Sequence, residues 1–204
     1  MRPAERRYGV HHPGAAGKGI PAITLSDGPN GVRKQAGAAD HLGLNPTCAR
    51  HLLAPPRPPC NSWDPELGEA VGAAWAKKQR HRRVGAAGPR LNIKRSPLCG
   101  RNFEYYSEDP YLAGELAAGF INGVQSEGVG TSIKHFAAND QETRRLSVNS
   151  RVDERTLQEI YLPAFETAVK KGPPLDRDVQ LQPAQRCLCE REQAAADRHS
   201  ARGV

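Results

Sequence analysis

Three segments of the chain carry the apolar spacing of amphipathic helices. Residues 63–75 begin with Asp64 as a predicted N-cap, Pro65 at the first helical position and acids in the first turn. Residues 153–171 open with acids and close on lysines, which suits the helix dipole. Residues 111–126 place apolar side chains four positions apart, as one buried helix face requires; these are Leu112, Leu116, Phe120 and Val124.

Two shorter segments are typical of strands. Residues 129–136, VGTSIKHF, follow the glycine that ends the second predicted helix. Residues 19–35 begin with a short apolar run and continue into Ser-Asp-Gly-Pro-Asn-Gly, which is turn chemistry. Residues 89–110 are interpreted as a loop because proline and glycine interrupt them. The succession of helix, strand, loop and helix predicts βα repeats around a parallel sheet.

Two blocks break this order. Residues 47–61 include the run PPRPP, which forbids both helix and central strand, so the block is predicted to be irregular. Residues 77–90 begin with KKQRHRR, where five lysines and arginines fall within seven positions. A nucleic-acid interface would add interleaved aromatics or a known module, and neither is present. A solvated helix end is the better interpretation, and nucleic-acid binding is the remote alternative.

Length, charge and cysteines narrow the class of protein. The 204 residues are enough for one domain, but they are about 50 fewer than a typical eight-fold β/α barrel contains. The net charge of +7 arises from residues 1–101, which hold 17 bases against 6 acids. No apolar run long enough for a membrane span or a secretory signal occurs. The five cysteines lack paired spacing, so we expect reduced thiols and a cytoplasmic location.

Five residues have the chemistry of sugar recognition. A carboxylate accepts hydroxyl protons, and cationic donors reach the remaining oxygens, at the carboxyl ends of parallel strands. Each candidate follows a predicted strand or lies in a loop that could follow one; they are Asp27, Arg33, Arg101, Lys134 and His135. Spacing alone leaves a second interpretation open, since an Asp before Gly-Pro commonly serves only as a turn residue.

Three long strings resemble a known family. SDGPNGVR (26–33), LNIKRSPLCGRNFEYYSEDPYLAGELAAGFINGVQSEGVGTSIKHFAAND (91–140) and VDERTLQEIYLPAFETAVK (152–170) are similar to the N-terminal barrel domain of glycoside hydrolase family 3, in its β-glucosidase branch. The resemblance implies an α/β fold, a partial (β/α)8 TIM-type barrel over residues 1–174. It also implies hydrolysis of terminal β-glucosyl residues by intact relatives, with no metal or organic cofactor.

By this resemblance, Asp27, Arg33, Arg101, Lys134 and His135 hold the sugar that is cleaved. The family retains configuration with two carboxylates, a nucleophile and an acid/base. The nucleophile belongs to a Ser-Asp-Trp motif and the acid to a second domain, and neither is found in this chain. We therefore assign no catalytic residue and expect no turnover from the chain alone. The acids at 107–109 and 139–142 are interpreted as helix caps and loop ion pairs.

The expected partner is a small glucoside or oligosaccharide, and neither nucleic acid nor membrane is expected. A sugar-binding module without chemistry is the alternative function. Oligomeric state is not predictable from these patterns.

The resemblance stops after residue 174. Residues 175–204 have balanced charge and no periodicity, so a disordered tail is predicted. If permitted codons for LDRDVQLQPAQRCLCERE are read one base later, they give WTVMCSYNRLNGVYASEN, the next motif of the family. A frameshift near residue 172 is therefore hypothesised, with similar events at 47–61 and 77–90. The weak apolar run at 84–87 and the incomplete barrel predict marginal stability and aggregation.

Overall fold

The computed structural model describes residues 11–12, 16–19, 23–24, 61–80, 88–144, 148 and 150–179. The strands are β1 (His11–His12), β2 (Ile23–Thr24), β3 (Ser132–Phe136) and β4 (Asp176–Val179). The α-helices are α1 (Pro65–Arg80), α2 (Pro110–Ser126), α3 (Glu154–Thr156) and α4 (Pro163–Lys171). A 3₁₀ turn covers Ala16–Lys18, and a π-helical segment covers Leu157–Tyr161.

β3 lies between two parallel neighbours. On one side, Arg90 forms a parallel bridge with Lys134, and the amide of Leu91 donates to the Lys134 carbonyl at 2.7 Å. On the other side, β4 pairs with β3 in parallel, with Ser132 opposite Asp176. Helix α2 connects the first pair, and the helical segment 154–171 connects the second. β3, the helical segment 154–171 and β4 form one βαβ unit, as predicted, whereas the contact before α2 is an isolated bridge and β1 and β2 pair antiparallel.

The approach of residues 88–93 to β3 requires a glycine. A Cβ at Gly88 would collide with the main-chain carbonyl of Ser132. All six residues of this stretch are buried. Apart from the isolated bridge at Arg90 and the start of α2 at Pro110, residues 89–110 form no strand or helix, so the predicted loop is observed.

Helix α2 is packed on two sides. One face contacts β3 and α4. The core formed there comprises Ala113, Ala117, Ile121, Ile133, Phe165 and Ala168. The other face contacts α1 through Phe120 and Val124, with the Trp75 and Phe120 ring centroids 6.2 Å apart. The predicted apolar stripe accounts for only the second face; the first is formed by Ala113, Ala117 and Ile121, which lie outside that stripe.

Helices α1 and α2 approach each other through main-chain atoms. A Cβ at Gly72 would collide with the Phe120 carbonyl, and a Cβ at Gly123 would collide with the Glu69 carbonyl. The small residues therefore set the distance between the two helices, while Trp75 fills the space at the end of the contact.

The three predicted helices are observed. Asp64 Oδ1 accepts from the amides of Glu66 and Leu67 at 2.9 and 3.2 Å, which confirms the predicted N-cap of α1. Helix α1 continues to Arg80, so the first four residues of the basic segment are helical. Lys77 at this end lies 3.7 Å from Glu127. The described part of the basic segment is therefore the end of a helix.

The third predicted helix is interrupted. Asp153 accepts from the Thr156 amide at 2.9 Å and caps α3, and hydrogen bonding to the carboxylate lowers the pKa of Asp153. The Leu162 amide then donates to the Leu157 carbonyl at 3.0 Å, five residues back. Pro163 has no amide hydrogen to continue the α-helical ladder, which explains the π-helical segment just before it.

The predicted disordered tail, 175–204, is wrong for its first residues. Residues 176–179 form β4, although their sequence is DRDV. Strand pairing uses main-chain groups, which every non-proline residue possesses, so polar side chains do not prevent it. Residues 180–204 lie outside the described residues, as do residues 47–60 and 81–87 of the two irregular blocks. In the part of the chain that the structure describes, no helix is both long and apolar enough to span a membrane.

Candidate functional site

The candidate site lies where the parallel strands of the sheet end. Lys134 and His135 are in the second half of β3, and both are buried. Arg101 lies in the loop that follows the neighbouring stretch 88–93. Because the carboxyl ends of parallel strands meet at one edge, the loop that carries Arg101 and the end of β3 come together there.

Arg101 and His135 are in direct contact. Arg101 Nη2 lies 3.0 Å from His135 Nε2. Arginine only donates hydrogen bonds, so Nε2 is the acceptor in this contact. The guanidinium of Arg101 also stands 6.0 Å from the centre of the Tyr105 ring.

Glu104 joins two arginines. Its Oε1 accepts from Arg101 Nε, and its Oε2 lies 2.8 Å from Arg90 Nε, with the Glu104 side chain only 4% exposed. Burial opposes the charge of Arg101, but Tyr105 and Glu104 outweigh it and raise the pKa of the guanidinium. Arg101 is therefore a permanent cation, held in a nearly buried setting by a carboxylate.

Tyr105 is fully buried and its hydroxyl is a meeting point of polar groups. Asn92 Nδ2 and Asn139 Nδ2 donate to it at 3.3 and 3.1 Å. His135 Nδ1 lies 3.4 Å from the same oxygen. Burial raises the pKa of Tyr105, while the two amide donors and the charge of Arg101 oppose that rise. The phenol is thus neutral at ordinary pH.

The acids near the site are committed to other groups, as predicted. Glu142 Oε1 accepts from Asn139 Nδ2 at 3.1 Å and lies 3.5 Å from Arg101 Nη1. Asp140 Oδ2 accepts from the Tyr161 hydroxyl at 2.6 Å. Asp109 caps α2 by accepting from the Tyr111 amide at 2.9 Å. A helix cap therefore explains Asp109 and a loop ion pair explains Glu142, whereas Asp140 is held by the Tyr161 hydroxyl.

Of the five predicted sugar ligands, the structure brings Arg101 and His135 into contact and places Lys134 beside His135 in the chain. Asp27 and Arg33 lie outside the described residues. The sequence reasoning missed Glu104, Tyr105 and Asn92, although all three lie within the strings that carry the family resemblance. The polar partners of the Tyr105 hydroxyl are 13 to 34 positions away, so no local spacing could have indicated Tyr105 or Asn92. Glu104 pairs with Arg101 three positions earlier, and this spacing is a signal that the sequence reasoning did not use.

Among the described residues, no group of three or more His, Cys, Asp or Glu side chains is arranged to hold a metal ion. The donors at the site are cationic and amide nitrogens, interspersed with paired carboxylates. Such a set matches an uncharged ligand rich in hydroxyl oxygens better than a cation.

The fold belongs to the class of TIM-barrel-like domains. The model of the glycosyl hydrolase family 3 N-terminal domain matches residues 49–175. The chain belongs to this family, which confirms the resemblance.

Two curated relatives and one solved structure show the extent of the match. The chain is 54% identical to thermostable β-glucosidase B of Acetivibrio thermocellus over 76% of its length, covering 21% of that protein. It is 51% identical to an exo-α-(1→6)-L-arabinopyranosidase of Bifidobacterium longum over 80% of its length, covering 22% of that protein.

The structure of β-glucosidase 3B from Thermotoga neapolitana in complex with α-D-glucose matches 84% of the chain with a TM-score of 0.72 and 43% identity. The chain covers 24% of that structure. It therefore spans between a fifth and a quarter of the length of these relatives.

Proposed function

We propose that this chain holds the sugar-gripping part of a family 3 glycosidase site. Arg101, Lys134 and His135, together with Asp27 and Arg33, bind a terminal glycosyl residue through its hydroxyl groups. The observation that carries the proposal is the 3.0 Å contact of Arg101 with His135 at the strand ends. The membership of the chain in the family supports the assignment.

The chemistry of Arg101 suits this role. A guanidinium has five N–H donors, and the contacts described above use one on Nε and one on Nη2, with Glu142 facing Nη1. Donors remain on both terminal nitrogens for hydroxyl oxygens. Its side chain is 16% exposed, so one part of the group stays accessible to a ligand.

Sugar binding is tested by calorimetric titration of the chain with glucose. We expect heat of binding that is lost in Asp27→Ala and Arg101→Ala. A folded chain that gives no heat at millimolar sugar would overturn the proposal. Glu108→Gln, an exposed change outside the site, is the matched control and leaves the binding unchanged.

We propose further that the chain binds without turnover. Retaining hydrolysis needs two carboxylates that flank one bond at a fixed separation. Three carboxylates of the described part of the site each accept from a cation, an amide or a hydroxyl; they are Glu104, Glu142 and Asp140. Incubation of the purified chain with an aryl β-glucoside should release no phenol above a blank, and measurable release contradicts this proposal.

Two sugars are candidates for the ligand of this chain. Glucose is the expected ligand, and one relative at 51% identity acts on L-arabinopyranosides. Parallel titrations with D-glucose and L-arabinose rank the two, and tighter binding of arabinose would reassign the substrate class. The cytoplasmic location stays a prediction, to which the buried free thiol of Cys99 adds support.

A further inference from the structure

Glu104 and Tyr105 are consecutive residues of the candidate site; the Glu104 side chain is 4% exposed and Tyr105 is fully buried, and each contacts a different residue of the proposed sugar grip. We propose that they are positioning residues: Glu104 orients the guanidinium of Arg101, and Tyr105 orients the imidazole of His135. This inference rests on the proposed function for its consequence in binding, but the positioning itself is measurable without sugar.

Glu104 fixes the plane of the Arg101 guanidinium. Its Oε1 accepts from Arg101 Nε, while the two terminal nitrogens of the guanidinium contact His135 and Glu142 instead. Its Oε2 is engaged by Arg90, whose side chain is itself buried. Both carboxylate oxygens are thus used in holding cations, which separates Glu104 from a nucleophile or an acid/base.

Tyr105 fixes the ring of His135 from the opposite side. The imidazole is held at both nitrogens, by Arg101 at Nε2 (3.0 Å) and by the Tyr105 hydroxyl at Nδ1 (3.4 Å). Since Arg101 donates to Nε2, a neutral ring carries its proton on Nδ1, facing the Tyr105 oxygen. Rotation of the ring would break both contacts at once. The edge-on packing of the two rings, 81° apart in plane, restricts it further.

The contacts form a closed circuit. It runs from Tyr105 to Asn139 (3.1 Å), to Glu142 (3.1 Å), to Arg101 (3.5 Å), to His135 (3.0 Å) and back to Tyr105 (3.4 Å). Two residues outside the circuit contact its members: Glu104 contacts Arg101, and Asn92 contacts Tyr105. A circuit orients its members more tightly than separate pairs, because one member cannot move without displacing two neighbours. Glu104 and Tyr105 therefore act together on Arg101 and His135, the residues proposed to bind the sugar.

The first test is glucose titration of Tyr105→Phe, which removes one oxygen and keeps the ring. We expect at least about a tenfold loss of affinity, since a hydrogen bond to a ligand-orienting group is disconnected. Tyr111→Phe is the matched control, because Tyr111 is 70% exposed, and it should bind as the original chain does. Glu104→Gln should also lose at least about tenfold. If Glu104→Gln does not fold, Tyr105→Phe decides.

The second test reads the His135 ring without any sugar. Ring nitrogen signals in ¹⁵N NMR, assigned with His135→Asn, should show the proton on Nδ1 in the original chain. In Tyr105→Phe the signals should move toward a mixture of the two tautomers, while Tyr111→Phe leaves them in place. Unchanged His135 signals and unchanged glucose affinity in folded Tyr105→Phe would overturn the inference.

The two tests separate the two proposals. If the original chain gives no heat with glucose but its His135 signals respond to Tyr105→Phe, the positioning holds and the proposed function fails. If glucose binds and neither Tyr105→Phe nor Glu104→Gln alters the binding, the proposed function holds and the positioning fails.

Discussion

β3 has a parallel contact on each side, an isolated bridge to residues 88–93 and a ladder to β4, and the two contacting segments differ in amino-acid composition. The stretch 88–93 is buried throughout and carries Leu91 and Ile93. β4 consists of Asp-Arg-Asp-Val. Parallel strands covered on both faces are nearly continuous apolar runs. The stretch 88–93 meets this requirement in part, through Leu91 and Ile93. β4 does not meet it, and it pairs with β3 through main-chain groups.

The difference separates backbone pairing from sequence selection. The family match ends at residue 175, one position before β4 begins. The hypothesised reading frame would place Thr-Val-Met-Cys at positions 176–179, which has the apolar and β-branched character expected there. The contrast between the two neighbours is what the frameshift hypothesis predicts, and it stays a hypothesis until the gene is read.

The largest effect on stability is expected at Gly88, in the stretch 88–93 beside β3. Gly88→Ala places a methyl group against the Ser132 carbonyl, so residues 88–93 cannot approach β3. We expect a loss of at least about 3 kcal/mol in the free energy of unfolding, measured by denaturant titration. Gly100→Ala is the control, since nothing lies within 4 Å of its Cβ position. Equal stability of the two variants would contradict the assigned pairing.

Leu91 is expected to contribute nearly as much. It is fully buried in the core formed with Ile121, Ile133 and Phe165. Leu91→Ala should lower the free energy of unfolding by about 3 kcal/mol, since a buried leucine is replaced by a cavity. Leu98→Ala, at a side chain that is 91% exposed, should change it by less than about 0.5 kcal/mol.

Replacement of the charged residues of β4 should raise the free energy of unfolding. The triple variant Asp176→Thr, Arg177→Val and Asp178→Met installs the residues of the shifted frame in β4. We expect a gain of about 1–2 kcal/mol, because apolar side chains suit a parallel strand beside β3. A rise in Tm is the measurement, and a fall would show that the charged residues belong there.

The hypothesis about the gene has its own test. The nucleotide sequence around codons 47–61, 77–90 and 172–204 should restore family motifs when it is read in the other frames. Codons that cannot yield the WTVMCSYN string would rule out a frameshift at β4.

The smallest effect is expected at Tyr161, which ties the loop after β3 to the helical segment that leads to β4. Tyr161→Phe removes its hydrogen bond to Asp140 and should cost about 1 kcal/mol near pH 7. Burial, with the bond to Asp140, raises the pKa of Tyr161 above its ordinary value. The unfolded chain therefore loses this proton first, at a pH of about 10.

The sign of the pH dependence follows from that order. The stability that Tyr161 contributes is complete below pH of about 10 and declines as the pH rises toward the folded-state pKa. The stability difference between the original chain and Tyr161→Phe should thus shrink as the pH rises above about 10 in thermal unfolding. A difference that grows over this range would contradict the assigned shift.

Local chemistry was sufficient to predict a good part of the fold. Asp64 and Asp109 precede prolines at helix starts, and the segments around them are helices as expected. The strand at 132–136 was visible because apolar residues follow a helix-ending glycine. The pairing of 88–93 and of β4 was missed, since strand partners depend on main-chain groups and on distant neighbours rather than on local pattern.

The candidate site divides in the same way. Arg101, Lys134 and His135 were found because their residue types suit a sugar and because their strings resemble a family. Glu104 and Tyr105 stand in one of those strings, but their contacts reach His135 and Arg90 across the fold. Only tertiary structure shows that a buried acid and a buried phenol hold the ligands in place.

The main-chain contact between α1 and α2 has a consequence for insertions and deletions. One residue added to α1 after Gly68 would turn the rest of the helix by about 100°. Gly72 would leave the Phe120 carbonyl, and a bulkier neighbour would take its place. The length of this helix between its glycines is therefore less open to change than most of its outward side chains.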